Sequence, residues 1–567
     1  MASSVCDSCK RRKVKCDLSD PCSNCRISQL HCQYTIVPSK RGRKRRPPRN
    51  QDRDTQIEPA GLGDIGISQR EAPRTPSVRE LQLPSFPRTP RVIPEPPFTV
   101  PVSFSSEPEG VFSNLVADVA AIAPNDEIAA IVHRCLDLFV QYLFPTCPII
   151  HESTFRSLAA LYFTRGHSTP GSSVSLQPPE LTETIHKKEF ALITGLCAAV
   201  ASVMPEFLMP HQHLLTQSFL NASRIMLRMY CDYDLEYPDS SSLLIRLWHS
   251  AALQNSTGKA GAAWHALGEA TLLAQKLRLY EESSLSRFSP IESQTLRATF
   301  WQLFAADKSA AAFEDRPIVL HPLLFYGDLT LQDIGNQNIP LLDVRQDHYQ
   351  FGFEDRLLAG FRLKCRVWSL GGDLIQQIRL YSRQKTDGLD AKVELARLTE
   401  TYLRFTGLID DLPQWLQSFE ADPNTSETDT FAYQRSSFWV QRSNIMTSYH
   451  CLELLVLQRC IKYGTLEDMG LSSQLLSVST RKLEIVRDFV RELHMAPFVC
   501  LKVQGEASVE RIRHIGSAVL EITETVDDNN VKERANVLFK KLLDFLARLN
   551  SKASDELASS QPHPAIR

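Results

Sequence analysis

The chain has 567 residues, a formal net charge of −2 and 43% hydrophobic residues, so it has room for several domains and a large core. Its longest unbroken apolar runs fall far short of the ~20 residues of a membrane-spanning helix, which argues against an integral membrane protein. The near-neutral net charge conceals a basic amino-terminal segment and an acidic remainder. Residues 1–50 hold 13 Lys and Arg against 3 Asp and Glu, and the rest of the chain holds 50 against 62. A basic segment of this kind suits electrostatic attraction to a phosphate backbone.

Six of the 14 cysteines lie near the amino-terminal end with the spacing C-x2-C-x6-C-x5-C-x2-C-x6-C, at Cys6, Cys9, Cys16, Cys22, Cys25 and Cys32. The segment is too short and too polar to form a core, so metal–thiolate bonds are expected to hold it folded. Six thiolates fill the eight positions of two tetrahedral zinc ions only if two sulfurs bridge. Disulfides and a single zinc with two spare thiols are the alternatives, and no apolar signal segment precedes the motif to favour disulfides.

This spacing resembles the fungal zinc binuclear cluster (Zn2Cys6) family of transcription regulators, as do Pro21 before the fourth cysteine and the basic run between the second and third. The resemblance implies a DNA-binding module at residues 1–35 in which the first and fourth cysteines bridge two zinc ions. One zinc would be bound by Cys6, Cys9, Cys16 and Cys22. The other would be bound by Cys22, Cys25, Cys32 and Cys6.

The resemblance also implies that the basic run forms a short helix whose exposed end enters the major groove of double-stranded DNA. Arg12 and Lys13 match the base-reading pair of the family, whose precedent suggests a CGG-like triplet. Phosphate contacts, which position a protein without reading sequence, are implied for the remaining basic residues, Lys10, Arg11, Lys15 and Arg26.

The next segment, residues 36–50, is called here the basic arm. It is predicted to be a nuclear localisation signal, an auxiliary DNA contact or both, through Lys40, Arg41, Arg43, Lys44, Arg45 and Arg46. Residues 51–110 are rich in proline and are expected to form a disordered linker, as is the tail at 551–567. The linker has no apolar heptad, so a homodimer would have to form through the body of the chain.

Residues 111–550 are predicted to form a large all-α domain, because apolar residues recur at helical spacing and no alternating strand pattern appears. Asn125 is the expected cap of a helix that ends at Leu143. Residues 164–186 and 418–430 are predicted loops. The eight remaining cysteines are expected to be reduced, buried thiols. The other predicted helices are 187–203, 208–230, 240–255, 259–278, 293–313, 353–384, 390–417, 431–463, 471–495, 501–524 and 530–550.

This body resembles the fungal-specific transcription factor (middle homology) domain, which is all-α. The resemblance rests on Phe144-Pro145 with Pro148-Ile149-Ile150-His151, Ala263-Trp264 with Gly268-Glu269-Ala270, and Arg297, Phe300-Trp301, Phe304, Asp307 and Arg316-Pro317. Trp264, Trp301 and Phe304 are expected in the core. His151 and His450 are expected to be buried and hydrogen-bonded.

No catalytic motif is complete. Gly166–Pro170 nearly matches a nucleophile elbow in the wrong context, and His151-Glu152 begins a zinc-protease pattern that Phe155 breaks. The hypothesis is therefore a nuclear, non-enzymatic factor that binds DNA, regulates RNA polymerase II transcription and contacts the transcription machinery or coregulators. The alternative is a nuclear protein-interaction adaptor or corepressor with only weak DNA binding.

Overall fold

A computed structural model describes residues 6, 9, 16, 17, 19, 22, 25, 26, 32 and 33, and then 108–164, 179–258, 260–314, 316–334, 339–386, 392–410, 412–417 and 429–549. The chain divides into two compact units, Met1–Glu95 and Pro96–Arg567. The predicted tail and all but the last three residues of the predicted linker lie outside the described residues. Those last three residues are already helical.

Every regular element of the second unit, over its described residues, is a helix, and the prediction of an all-α fold is confirmed. The α-helices are α1 Pro108–Ile122, α2 Ile128–Leu138, α3 Glu152–Ala159, α4 Pro179–Val203, α5 Gln212–Met229, α6 Cys231–Glu236, α7 Ser240–Thr257, α8 Ala260–Lys276, α9 Pro290–Glu314, α10 Phe353–Thr386, α11 Lys392–Thr406, α12 Gln414–Gln417, α13 Asp429–Lys462, α14 Leu475–Met495, α15 Phe498–Lys502, α16 Glu506–Thr525 and α17 Asn529–Leu549.

The first half of the helical unit is built around α7. Asp239 and Ser242 form a reciprocal capping box at its start, and Gly258 ends it in the left-handed region at φ 66°. Both α4 and α8 pack against α7, and α5 packs against α4. The side chains of Leu244 and Trp248 are consequently buried.

The second half is built around α10 and α13, which pack along each other, with α14 against α13 and α17 against α16. A glycine permits the close approach of the central pair. A Cβ atom at Gly371 on α10 would lie 2.8 Å from a methyl carbon of Leu452 on α13. Helix α9 packs against both α7 and α10 and so joins the two halves.

A buried charge cluster joins α4, α6 and α7. The Asp234 carboxylate is fully buried and lies 2.6 Å from Nη1 of Arg246, 3.1 Å from Nζ of Lys188 and 2.6 Å from the Ser242 hydroxyl, which donates to it. Lys188 also lies 2.9 Å from Asp239. Burial lowers the pKa of Lys188, but Asp239 and Asp234 more than offset this, so the pKa is raised overall.

Several predicted helix ends are wrong. The cap of α2 is Glu127 rather than Asn125, and the helix changes at Leu138 into a π-helical turn, Phe139–Leu143. The predicted loop at 164–186 is helical from Pro179, because proline is favoured at a first helical position where its missing N–H costs nothing. The predicted loop at 418–430 becomes helical at Asp429, and its residues 418–428 lie outside the description.

Two predicted helices are interrupted. The prediction over 390–417 is split, because α11 ends at Thr406 and is followed by a 3₁₀ turn, Gly407–Ile409. The prediction over 501–524 is split at Gly505, whose φ of 59° is incompatible with a continuous helix. A Cβ atom there would also clash with Asn255 Oδ1.

The expected aromatic core is only partly present. Phe304 is buried, Trp301 is half-buried, and the prediction for Trp264 is wrong because that ring is 41% exposed. The Arg316 guanidinium lies 4.6 Å from the centre of the Trp264 ring. Indole tolerates such a position because its face attracts a cation while part of the ring stays in water.

The histidines and thiols behave largely as expected. His450 is buried, with Nδ1 3.4 Å from a carboxylate oxygen of Glu453, whereas His151 is half-buried and caps α3 by accepting from the Thr154 N–H. None of the 14 cysteines forms a disulfide. Of the eight in the body, Cys147 and Cys231 are half-buried and the others are buried.

Candidate metal centre and nucleic-acid interface

The four cysteines of the two C-x2-C pairs meet in the first unit. Cys6, Cys9, Cys22 and Cys25 have no exposed surface, and their sulfurs all lie within 4.8 Å of one another. The Sγ atoms of Cys6 and Cys22 are 3.7 Å apart. Cys6 and Cys25 are separated by 3.6 Å, and Cys9 and Cys22 by 3.5 Å.

The remaining two cysteines pack against these four. The sulfur of Cys32 accepts the backbone N–H of Cys22 at 3.3 Å. The sulfur of Cys16 lies within 4.8 Å of that of Cys22, together with a carboxylate oxygen of the exposed Asp17. Cys16 and Cys32, which are both half-buried, therefore lie close to Cys22, the fourth of the six cysteines.

Backbone N–H groups also point at the cluster. The N–H of Cys9 donates to the sulfur of Cys6 at 3.4 Å, and that of Cys25 donates to the sulfur of Cys22 at 3.4 Å. Such bonds stabilise thiolates, because a charged acceptor strengthens the hydrogen bond. Two of the three sulfurs that accept a backbone N–H, those of Cys6 and Cys22, are the first and fourth of the six, which the family resemblance implies to be the bridging pair.

These distances fit sulfur ligands of tetrahedral zinc. With Zn–S bonds of about 2.3 Å, two sulfurs on one tetrahedral zinc lie about 3.8 Å apart. The three sulfur–sulfur separations given above lie close to this distance. Each joins two cysteines that share a zinc in the arrangement implied by the family resemblance. The assignment of each sulfur to one ion or both stays a prediction.

The expected DNA-contacting residues are only partly visible. Arg26 is exposed next to the buried Cys25, and its backbone N–H donates to the Cys22 carbonyl at 2.9 Å. Its position is therefore fixed by the cysteine cluster. The other predicted DNA contacts lie outside the described residues: Lys10, Arg11, Arg12, Lys13 and Lys15. The predicted localisation residues also lie outside them: Lys40, Arg41, Arg43, Lys44, Arg45 and Arg46.

The near-catalytic pair His151-Glu152 has a structural role. Glu152 is 1% exposed, accepts the Asp343 N–H at 2.9 Å and lies 2.7 Å from Nη2 of Arg156. It thus fixes the 339–349 loop to α3. The other near match, Gly166–Pro170, lies outside the described residues.

None of the described helices combines the length and apolar character needed to cross a membrane.

Two family models match the chain. The fungal Zn(2)-Cys(6) binuclear cluster domain matches residues 4–41, and the fungal specific transcription factor domain matches residues 136–352. The first match contains all six clustered cysteines, and the module binds two zinc ions. The second match spans helices from α2 to the loop before α10.

Curated proteins with similar sequences carry names of the same kind. The aurofusarin cluster transcription factor aurR2 of Gibberella zeae is 21% identical over 64% of this chain and 53% of that protein. The probable transcriptional regulatory protein STB4 of Saccharomyces cerevisiae is 45% identical over 9% of this chain and 5% of that protein. The arabinolytic transcriptional activator araR of Emericella nidulans is 49% identical over 7% of this chain and 5% of that protein.

The chain thus spans about half the length of the first of these relatives and a small part of the other two. Short matches of high identity fall in the size range of the cysteine module, whereas the long match extends far beyond it. The chain thus carries a fungal Zn(2)-Cys(6) binuclear cluster domain, followed within an all-α body by a fungal specific transcription factor domain.

Proposed function

We propose that the chain is a nuclear, sequence-specific regulator of RNA polymerase II transcription that reads a CGG-like triplet through its zinc cluster. The observation that carries this proposal is the set of Sγ separations of 3.5–3.7 Å among Cys6, Cys9, Cys22 and Cys25. They suit two zinc ions that share the sulfurs of Cys6 and Cys22. Zinc binding then replaces a hydrophobic core and fixes the intervening basic run.

In this proposal, Arg12 and Lys13 donate to guanine O6 and N7 in the major groove. Lys10, Arg11, Lys15 and Arg26 contact phosphates. The exposed side of the cluster at Arg26 supports such a contact, because the residue is held by its N–H bond to Cys22. The basic arm adds phosphate contacts or directs nuclear import, and the protein acts by binding rather than by catalysis.

The helical body would contact the transcription machinery or coregulators and, where a homodimer forms, provide its interface. The second candidate, an adaptor or corepressor with weak DNA binding, is favoured by the size of this helical unit relative to the cysteine module. The two candidates differ in whether the full-length chain selects one DNA sequence from a random pool.

The test compares two substitutions in the full-length chain on selected and random duplexes. Lys13→Ala should cost on the order of 1–3 kcal/mol on the selected duplex and little on random DNA, because it removes a base contact. Arg11→Ala should weaken both duplexes alike and lower the slope of log affinity against log salt by about one. Arg134→Ala, in the helical unit, is the control.

If Lys13→Ala and Arg11→Ala each lose affinity for selected and random DNA equally, the division into base and phosphate contacts is wrong. If no sequence is selected at all, the adaptor function replaces the proposed one.

A further inference from the structure

The helical unit contains a cavity of about 330 Å³ bounded by α7, α8, α9, α10 and α16. Its volume lies within the ~300–1,000 Å³ of small-molecule sites. Much of the wall is apolar and aromatic, and it includes Leu247, Trp248, Leu267, Phe313 and Trp368. Such a wall favours a ligand with an apolar body of about the size of a ring system.

Two buried cations, Lys364 of α10 and Arg511 of α16, also line the cavity, with 6% and 3% of their surface exposed. Nζ of Lys364 donates at 2.6 Å to the Thr146 carbonyl and at 2.6 Å to Gln302 Oε1, and it lies 4.8 Å from the ring centre of Phe361.

The guanidinium of Arg511 is held by two neutral partners. Nη1 donates to the Ser448 hydroxyl at 3.3 Å, and Nη2 donates to Gln504 Oε1. These bonds fix the side chain at the cavity wall without neutralising its charge. Arg511 also lies close enough to Lys364 to lower the pKa of that amine.

In the described part of the chain, no carboxylate lies within salt-bridge distance of either cation. Buried cations elsewhere in the same unit have one, as Arg246 has Asp234 at 2.6 Å and Lys308 has Asp373 at 2.5 Å. Burying a charge without a counter-charge is costly, so cations of this kind are normally paired. Lys364 and Arg511 therefore differ from these other buried cations in having no carboxylate partner among the described residues.

Among the described residues of the cavity wall, the buried side-chain polar atoms that lack a hydrogen-bond partner are donors. Nε of Arg511 and Nε1 of Trp248 are both buried and have no acceptor. The one acidic residue of the described wall, Glu510, has a side chain that is 42% exposed and lies 3.4 Å from Arg513. The wall thus presents N–H groups and positive charge to whatever fills it.

The guanidinium of Arg511 stays charged at neutral pH. Burial lowers the pKa of Arg511 to about 10, which still leaves the guanidinium protonated. Burial also lowers the pKa of Lys364. An anion beside these groups would reverse both shifts, since an opposite charge favours the protonated form.

We propose that this cavity binds a small molecule with one carboxylate and an apolar, ring-sized body, and that the carboxylate accepts from Arg511, Lys364 and Trp248. A carboxylate has two acceptor oxygens, which suits the few free N–H groups, and the apolar wall takes the rest of the ligand. A phosphate would place further charged oxygens against apolar groups. The proposal goes beyond DNA binding and does not depend on it.

The test uses the full-length chain and probes that do not absorb near 280 nm. Binding of 3-cyclohexylpropanoate, trans-4-methylcyclohexanecarboxylate and 4-cyclohexylbutanoate is compared with binding of their primary amides, with inorganic phosphate as a separate arm. The readout is tryptophan fluorescence, because Trp248, Trp264 and Trp368 of the chain's six tryptophans line the cavity. We expect at least one carboxylate to bind tenfold or more tightly than its amide.

The site is located by substitution. Arg511→Met and Lys364→Met should each weaken carboxylate binding at least tenfold and leave amide binding within twofold. Lys482→Met is the matched control, because Lys482 is equally buried but lies 2.9 Å from Glu521. It should bind the probe as the unaltered chain does.

Trp248→Phe keeps an aromatic ring and both cations but removes the indole N–H together with the five-membered part of the ring system, and it should weaken carboxylate binding several-fold. The proposal is overturned if no carboxylate binds better than its amide. It is also overturned if phosphate alone binds, or if the variants at the cavity bind the probe as well as Lys482→Met does.

Discussion

Removal of the Asp234 carboxylate should strongly destabilise the helical unit. In Asp234→Ala, Nη1 of Arg246 loses a partner at 2.6 Å and Nζ of Lys188 loses one at 3.1 Å. The buried Ser242 hydroxyl loses its acceptor at 2.6 Å and keeps only Asp239 Oδ1 at 3.3 Å. Breaking a buried ion pair by removing one partner costs about 3–5 kcal/mol, mostly because the remaining charge stays buried.

The remaining contacts decide where in that range the effect falls. Lys188 keeps Asp239 at 2.9 Å, and Arg246 keeps Glu269 at 3.3 Å and the Ser242 carbonyl at 2.9 Å. These contacts keep the expected loss of unfolding free energy near 3 kcal/mol rather than 5.

Urea unfolding followed by tryptophan fluorescence measures this loss, with the slope checked for constancy between variants. Asp126→Ala is the control, because Asp126 forms an exposed pair with Arg134 at 3.4 Å that should contribute less than about 1 kcal/mol. A loss in Asp234→Ala no larger than that of the control would refute the assignment of the cluster as a structural element.

Three further predictions concern pH, import and DNA stoichiometry. Burial, with Arg224 and Arg246 nearby, lowers the pKa of His249 from 6.5 to about 3, so the folded state holds it neutral while the unfolded state takes up a proton below about pH 6.5. Unfolding free energy should therefore fall by about 2 kcal/mol from pH 7 to pH 5, and an equally steep fall in His249→Gln would contradict this. Neutralising the six basic residues at 40–46 should leave a tagged chain cytoplasmic, and an unchanged nuclear signal would place import elsewhere. Residues 1–110 should bind a one-triplet duplex as a monomer in light scattering, since their sequence lacks an apolar seam; a 2:1 complex would reveal a missed dimer element.

The spacing of the cysteines predicted which residues cluster, but the distances between them required the structure. C-x2-C pairs and a metal requirement follow from the sequence, since no core can form there. Sequence separation alone does not place Cys6 3.6 Å from Cys25 and 3.7 Å from Cys22, because 19 and 16 positions separate these residues along the chain.

In the helical unit, the long amphipathic helices were predictable and their ends were not. Apolar residues on one face every three to four positions identify elements such as α14 and α17. The end of a helix depends on the conformation of one residue. At the start of α2 that residue is Glu127 and not the predicted Asn125; its backbone is extended, and its side chain makes no capping hydrogen bond. The sequence did show a glycine at position 505, and glycine tolerates a positive φ. In the structure, the positive φ of Gly505 separates α15 from α16.

Partners across the fold could not be predicted. Trp264 resembles a core residue in sequence, but tertiary packing leaves it at the surface beneath Arg316. Lys364 has Arg362 and Arg366 two positions away, and Arg511 has Arg513. Several charges so close together in a helical pattern usually indicate a solvated face. Only the structure shows that both are buried and lack a carboxylate partner in its described part.

The most direct test of the bridged zinc cluster is the zinc content of the purified full-length chain, measured together with its DNA binding. We expect two zinc ions per chain, and loss of both ions and of sequence-specific binding in Cys6→Ala and equally in Cys22→Ala, since each sulfur would serve both metals. Cys147→Ala, which removes a half-buried thiol of the helical unit, should leave both quantities unchanged. One zinc per chain, unaffected by Cys6→Ala, would contradict the bridged cluster on which the proposed DNA reading depends.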